Sequence, residues 1–115
     1  MYNLEREFVP FIQSNDLKSL GFNEPCFATY VGETLDLNLQ LPSDSYFTVA
    51  PLYQQAFRWF RSKGFIIDIT THDHDIYEFY IKWSADKSIL SDYYDTYEEA
   101  ELECLKKLIE IVKNN

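Results

Sequence analysis

The sequence predicts an α+β fold: a two-layer, largely antiparallel four-stranded sheet with two main helices on one face. The element order is ββαββα behind a short N-terminal helical turn, all in a single domain spanning 1–115. Three observations predict it. Leu35, Leu37, Leu39 and Leu41 alternate with Asp36, Asn38 and Gln40, the period of a strand with one buried and one wet face. Val49, Leu52, Tyr53, Ala56, Phe57 and Phe60 recur at helical spacing and stop at Gly64, which marks an amphipathic helix. Thr96-Tyr97-Glu98-Glu99 opens a second helix as a capping box.

In chain order, Ser14 reads as the N-cap of a helical turn over Asn15–Leu20, closed by Gly21 at the first position past the helix. Phe22 is then placed to pack back on Leu17. Pro25 leads into Cys26–Val31, apolar and β-rich, and Gly32-Glu33 is a Gly-X hairpin turn into the strand Thr34–Leu41. Pro42–Phe47 reads as a loop. The first main helix starts near Pro51, since proline suits the first helical position. Arg58, Arg61 and Lys63 lie late in that helix, where cations complement its dipole.

Phe65, Ile67 and Ile69 alternate with Ile66, Asp68 and Thr70 in a third strand. Thr71–Asp75 reads as a polar turn, and Tyr77–Trp83 as the return strand. Residues 84–94 read as an excursion carrying Tyr93 and Tyr94. In the last helix Ala100, Cys104, Leu105, Leu108, Ile111 and Val112 form the buried stripe, widened by Leu102 and Ile109. Glu103 with Lys107, and Lys106 with Glu110, are spaced as i,i+4 pairs.

The chain carries a formal charge of -9, and aromatic residues make up 17% of it. Large aromatic side chains can fill a core, which argues against intrinsic disorder. Phosphate backbones and anionic membranes repel so acidic a surface. The charge is uneven: residues 1–64 hold seven acids and five bases, residues 65–115 twelve acids and five bases. No apolar run reaches the roughly 20 residues of a membrane span, and the first residues lack the pattern of a signal peptide. Cys26 and Cys104 have no metal spacing. They read as small buried thiols of a cytoplasmic protein, with a disulfide as the alternative.

His72-Asp73-His74-Asp75 holds both histidines of the chain. In extended backbone His72 and His74 share a face and could approach one metal ion, the basis of a metal-dependent hydrolase. The simpler reading is a polar hairpin turn. Arg58, Arg61 and Lys63 could bind an anion, but read more simply as a solvated helix end. No nucleophile motif, phosphate loop or dinucleotide fingerprint occurs, and nothing in the sequence asks for a cofactor.

Asp92–Glu103 holds six acids and no base. Asp92, Tyr93, Tyr94, Asp95, Glu98, Glu99, Glu101 and Glu103 are therefore the candidate protein-interaction residues, facing a partner with a basic surface. Tyrosine is common at interfaces. The rival reading is a capped, solvated helix start with tyrosines roofing the core. Self-association stays open.

Ala50–Lys63 (APLYQQAFRWFRSK) and Tyr94–Leu105 (YDTYEEAELECL) resemble the A-P-x-[YW]-Q-x-A-x-x-W-F-R-x-K and Y-x-T-Y-E-E-A-x-x-x-x-L helices of a group of small uncharacterised bacteriophage and mobile-element proteins. Gly21–Tyr30 (GFNEPCFATY) is similar to a segment of the same group. The resemblance implies a phage or mobile-element origin and a bacterial host cytoplasm, and carries no activity or site residues with it. The expected function is a non-enzymatic, acidic protein-interaction domain acting on a host or phage protein, such as an inhibitor of a defence protein. The alternative is the hydrolase built on His72–Asp75.

Overall fold

The computed structural model describes residues 4–37, 48–73 and 75–114. The chain forms two compact units, Met1–Ala56 and Phe57–Asn115. The fold is α+β, but in place of one four-stranded sheet the described residues form two three-stranded antiparallel sheets.

In the first unit a 3₁₀ turn, Leu4–Glu7, precedes helix α1, Phe11–Ser19. The helix starts earlier than expected, with Pro10 rather than Ser14 as its N-cap. Ser14 is buried, and its hydroxyl donates instead to the Val9 carbonyl, at 3.0 Å. The Tyr30 hydroxyl donates to the same oxygen at 2.8 Å. Both lone pairs of a buried carbonyl are thus satisfied. The Val9 amide donates to the Pro51 carbonyl at 2.9 Å.

The end of α1 follows the expectation. Gly21 sits at φ +102. Its amide donates to the Lys18 carbonyl, and the Phe22 amide to that of Leu17, which is a Schellman closure. Leu17 and Phe22 are both buried.

Strands β1 (Ala28–Val31) and β2 (Thr34–Asp36) form the expected hairpin, with Gly32 at φ +62. Strand β2 ends at Asp36, and Leu37 is exposed. Leu39, Leu41 and the expected Pro42–Phe47 loop lie outside the described residues.

A third strand, β3 (Thr48–Ala50), pairs with the free edge of β1, giving the order β2-β1-β3. Val49 therefore belongs to a strand and not to the helical stripe. Helix α2 runs Tyr53–Ser62, so Pro51 lies just outside it. The proline ring favours extended backbone at Ala50, the last residue of β3. Phe8, Ala28, Tyr30 and Ala50 form the core here, joined by Phe11, Leu35 and Leu52. The rings of Phe11 and Tyr30 meet edge to face at 5.4 Å.

The boundary between the units falls inside α2. Its C-terminal half closes at Gly64, φ +100, with the same bonds as α1. The Gly64 amide donates to Arg61, and that of Phe65 to Phe60. The Phe60 and Phe65 rings meet edge to face at 5.7 Å, the apolar contact such a closure favours. Two of the cations of this helix end, Arg61 and Lys63, are engaged locally. Arg61 donates to the Ile67 carbonyl at 3.1 Å, and Lys63 Nζ lies 4.5 Å from the centre of the Trp59 ring.

Strands β4 (Ile66–His72), β5 (Ile76–Ser84) and β6 (Lys87–Leu90) form an antiparallel meander. Thr71 and His72, expected in the turn, lie instead in β4, paired with Tyr77 and Ile76. Asp73, which follows, adopts φ +39. Residues 87–90 of the expected excursion are strand β6. The turn Ala85-Asp86 contains no glycine, and Ser84 Oγ donates to Asp86 Oδ1 at 2.9 Å across it. With β3 and β6 added, the order is βββαβββα after α1, and β1 and β5 are each paired on both edges within their own unit.

Helix α3, Tyr97–Lys113, packs on β5 and β4. The Glu99 amide donates to the Thr96 hydroxyl at 3.1 Å, as the capping box requires. Ala100, Cys104, Leu105, Leu108, Ile109 and Ile111 are buried, while Leu102 and Val112 are half-buried. The helix-surface ion pairs are i,i+3 rather than i,i+4: Lys106 with Glu103 at 3.0 Å and Lys107 with Glu110 at 3.4 Å. Among the described residues both cysteines are free thiols. Cys104 is buried as expected, and Cys26 is only half-buried. No helix among the described residues is long and apolar enough to cross a membrane.

Candidate protein-interaction site

The eight candidate residues occupy the passage from β6 into α3. Ser91 continues the pairing of β6 with β5. Its amide donates to the Phe79 carbonyl, and its hydroxyl accepts from the Phe79 amide. The next paired residues are Tyr94 and Tyr77, which exchange backbone hydrogen bonds of 2.7 and 2.9 Å. Between these contacts β5 spends one residue, Glu78, and the opposing segment two, Asp92 and Tyr93. That is a bulge, and bulges re-aim side chains.

Neighbouring residues of an extended segment face opposite ways, and the bulge sets which of the two tyrosines faces α3. Tyr94 stacks on Phe79 with ring centres 6.1 Å apart, on the face that α3 covers. Burial pushes its phenol above the ordinary range, reinforced by Glu103, Asp92 and Cys104. Tyr94 thus roofs the core. Tyr93 turns the other way, is exposed, and lies edge to face with His72 at 5.8 Å. Tyr97, exposed in the first turn of α3, meets Tyr77 edge to face at 6.0 Å.

Asp92, Asp95, Glu98 and Glu99 are exposed, and Glu101 and Glu103 half-buried. Glu103 is the ion-pair partner of Lys106. Glu98 and Glu99 lie where the helix N-terminus favours negative charge, so part of the cluster serves α3 itself. The exposed set is therefore Asp92, Tyr93, Asp95, Tyr97, Glu98 and Glu99, carboxylates interleaved with two partly immobilised phenol rings.

Of the two histidines, the described residues include His72. His72 Nε2 is hydrogen bonded to Glu78 Oε1, a residue diagonally across the β4–β5 ladder. Glu78 is among the buried polar residues, and its partnership with His72 was not read from the sequence. Alternation alone would have put a glutamate opposite Thr70 in water; a neighbouring histidine and the Tyr93 bulge are what cover it. His74 lies outside the described residues. No group of three or more His, Cys, Asp or Glu that could hold a metal ion occurs among the described residues.

No protein-family model, no curated protein and no solved structure matches this chain.

Proposed function

We propose that the protein is a non-enzymatic interaction domain that binds a basic protein surface through Asp92, Tyr93, Asp95, Tyr97, Glu98 and Glu99. One observation carries the reading: all six residues are exposed within the short passage that runs from the bulge at Asp92-Tyr93 into the capped first turn of α3. Carboxylates steer a cationic partner and set on-rate. Tyrosine rings add contact area at low entropic cost and accept cations on their faces. The motif resemblance of Ala50–Lys63 and Tyr94–Leu105 extends the proposal: a phage or mobile-element protein acting on a host protein, with a defence nuclease whose nucleic-acid site is basic as the sharpest form.

The test compares the wild-type protein, immobilised at low salt, with a Glu98→Lys/Glu99→Lys variant against a bacterial lysate. A protein retained by wild type and lost from the variant, and released as salt rises, supports the reading. Identical retention by both overturns it.

A further inference from the structure

The register of the second sheet places Ile66, Asp68, Thr70 and His72 on one face, with Ile76, Glu78, Tyr80 and Lys82 of β5 and Ser88 and Leu90 of β6. Helix α3 packs on the same two strands, where Ile67, Phe79 and Ile81 of the opposite face are buried. An antiparallel sheet with one packed face normally turns polar residues to the other. Here the rule holds for Asp68, Thr70, His72, Glu78, Lys82 and Ser88 but not for Ile66, Ile76 and Leu90. Ile66 is 53%, Leu90 64% and Tyr93 65% exposed, and Ile76 is also exposed. The register puts half-buried Tyr80 next to Leu90. Exposed apolar side chains that the register sets near one another, Ile66 diagonal to Tyr80 and Tyr80 beside Leu90, mark a surface that can take a partner.

We propose that this open face docks a basic, amphipathic helix of a partner protein. The helix would lay its apolar stripe over Ile66, Tyr80 and Leu90, as α3 does on the reverse side. Charge selects the occupant. Asp68 lies exposed within the face, Asp73 and Asp75 at its hairpin end and Asp92 beside Tyr93, against Lys82 and the His72 that is bonded to buried Glu78. A second copy of the chain would bring a further charge of -9 against the first. A basic helix is drawn in, and its cations meet both this rim and the Asp92–Glu99 segment that Tyr93 joins to the face. The inference thus rests on the proposed function and names the partner's chemistry.

Isotope-labelled protein is titrated with three synthetic peptides while backbone resonances are followed. The first is an amphipathic helix of leucine and arginine, the second has the same composition scrambled to remove the apolar stripe, and the third replaces arginine with glutamate. The amphipathic basic peptide should shift Ile66, Tyr80 and Leu90, and bind about tenfold more tightly than the scrambled one. It should lose that advantage in Leu90→Ser, whose exposed position leaves folding intact. The glutamate peptide should not bind. Equal binding by the amphipathic and scrambled peptides, weakened by Glu98→Lys/Glu99→Lys but not by Leu90→Ser, overturns the docking face and leaves the acidic site standing. No shift with any peptide overturns both. Line broadening that grows with protein concentration alone, and vanishes in Leu90→Ser, assigns the face to a second copy and overturns the inference.

Discussion

The two units use the same punctuation to build different sheets. In each, a helix ends in a Schellman closure on glycine, Gly21 or Gly64, and the chain then runs into a three-stranded antiparallel sheet. Yet the first sheet has the order β2-β1-β3 and the second β4-β5-β6. Connection length accounts for the difference. Residues 73–75 and Ala85-Asp86 are too short to do anything but return each strand beside its predecessor. The stretch from Asp36 to Thr48 is long enough to carry β3 to the far edge of β1. The outcome decides which strand is most protected: β1, first in its unit, or β5, second in its own.

The largest expected effects test whether the matched closures are matched in energy. Phe60 and Leu17 are the equivalent residues that accept the last amide in each, and both are fully buried. Phe60→Ala should destabilise by about 4 kcal/mol and Leu17→Ala by about 3 kcal/mol, measured by urea unfolding. A single transition that moves in both variants makes the units one cooperative system. Two transitions, of which each variant moves a different one, make them separate.

A finer comparison replaces the glycines. Both have φ near +100, and a Cβ added to either meets no atom within 4 Å. The cost is then backbone conformation alone. Gly21→Ala and Gly64→Ala should each lose about 1 kcal/mol, equal within measurement error. Unequal losses would show that the two helix ends differ in something besides backbone geometry.

The smallest effect separates the two thiols. Burial is the main cause that pushes both Cys26 and Cys104 up to about 12, from an ordinary value of 9.0. Above pH 9.0 the unfolded chain therefore releases protons that the folded chain keeps. Stability is complete below that pH and falls as pH rises toward about 12. With equal shifts, Cys104→Ala and Cys26→Ala should flatten the alkaline decline in urea midpoint by similar amounts, so the fully buried Cys104 and the half-buried Cys26 contrast in access rather than in pH dependence. The same contrast should appear as slower reaction of Cys104 with a thiol reagent in the folded state.

Much of the local structure was legible in the residues. The Gly21 and Gly64 stops, the Gly32-Glu33 turn, the Thr96 cap and the α3 stripe all depend on neighbours within a turn or two, so the sequence pattern holds the relevant physics. Strands β3 and β6 escaped because each is too short for alternation to register and each is stabilised by a partner strand. The extended bias that Pro51 imposes on Ala50 was the available signal for β3. At the candidate site, the exposure of Asp92, Asp95, Glu98 and Glu99 followed from charge. Which of Tyr93 and Tyr94 turns to the core did not, since that hangs on a bulge defined by bonds to β5.

The sequence by itself determined where α1 and α2 end, where α3 begins and where negative charge accumulates, because these follow from backbone preference, capping and composition. Only the tertiary structure decided that the strands divide between two sheets, that Glu78 is covered by His72, and that Ile66, Tyr80 and Leu90 share an open face. Those outcomes depend on which strand edges meet and in what register. A shift of one residue would send every one of these side chains to the other side.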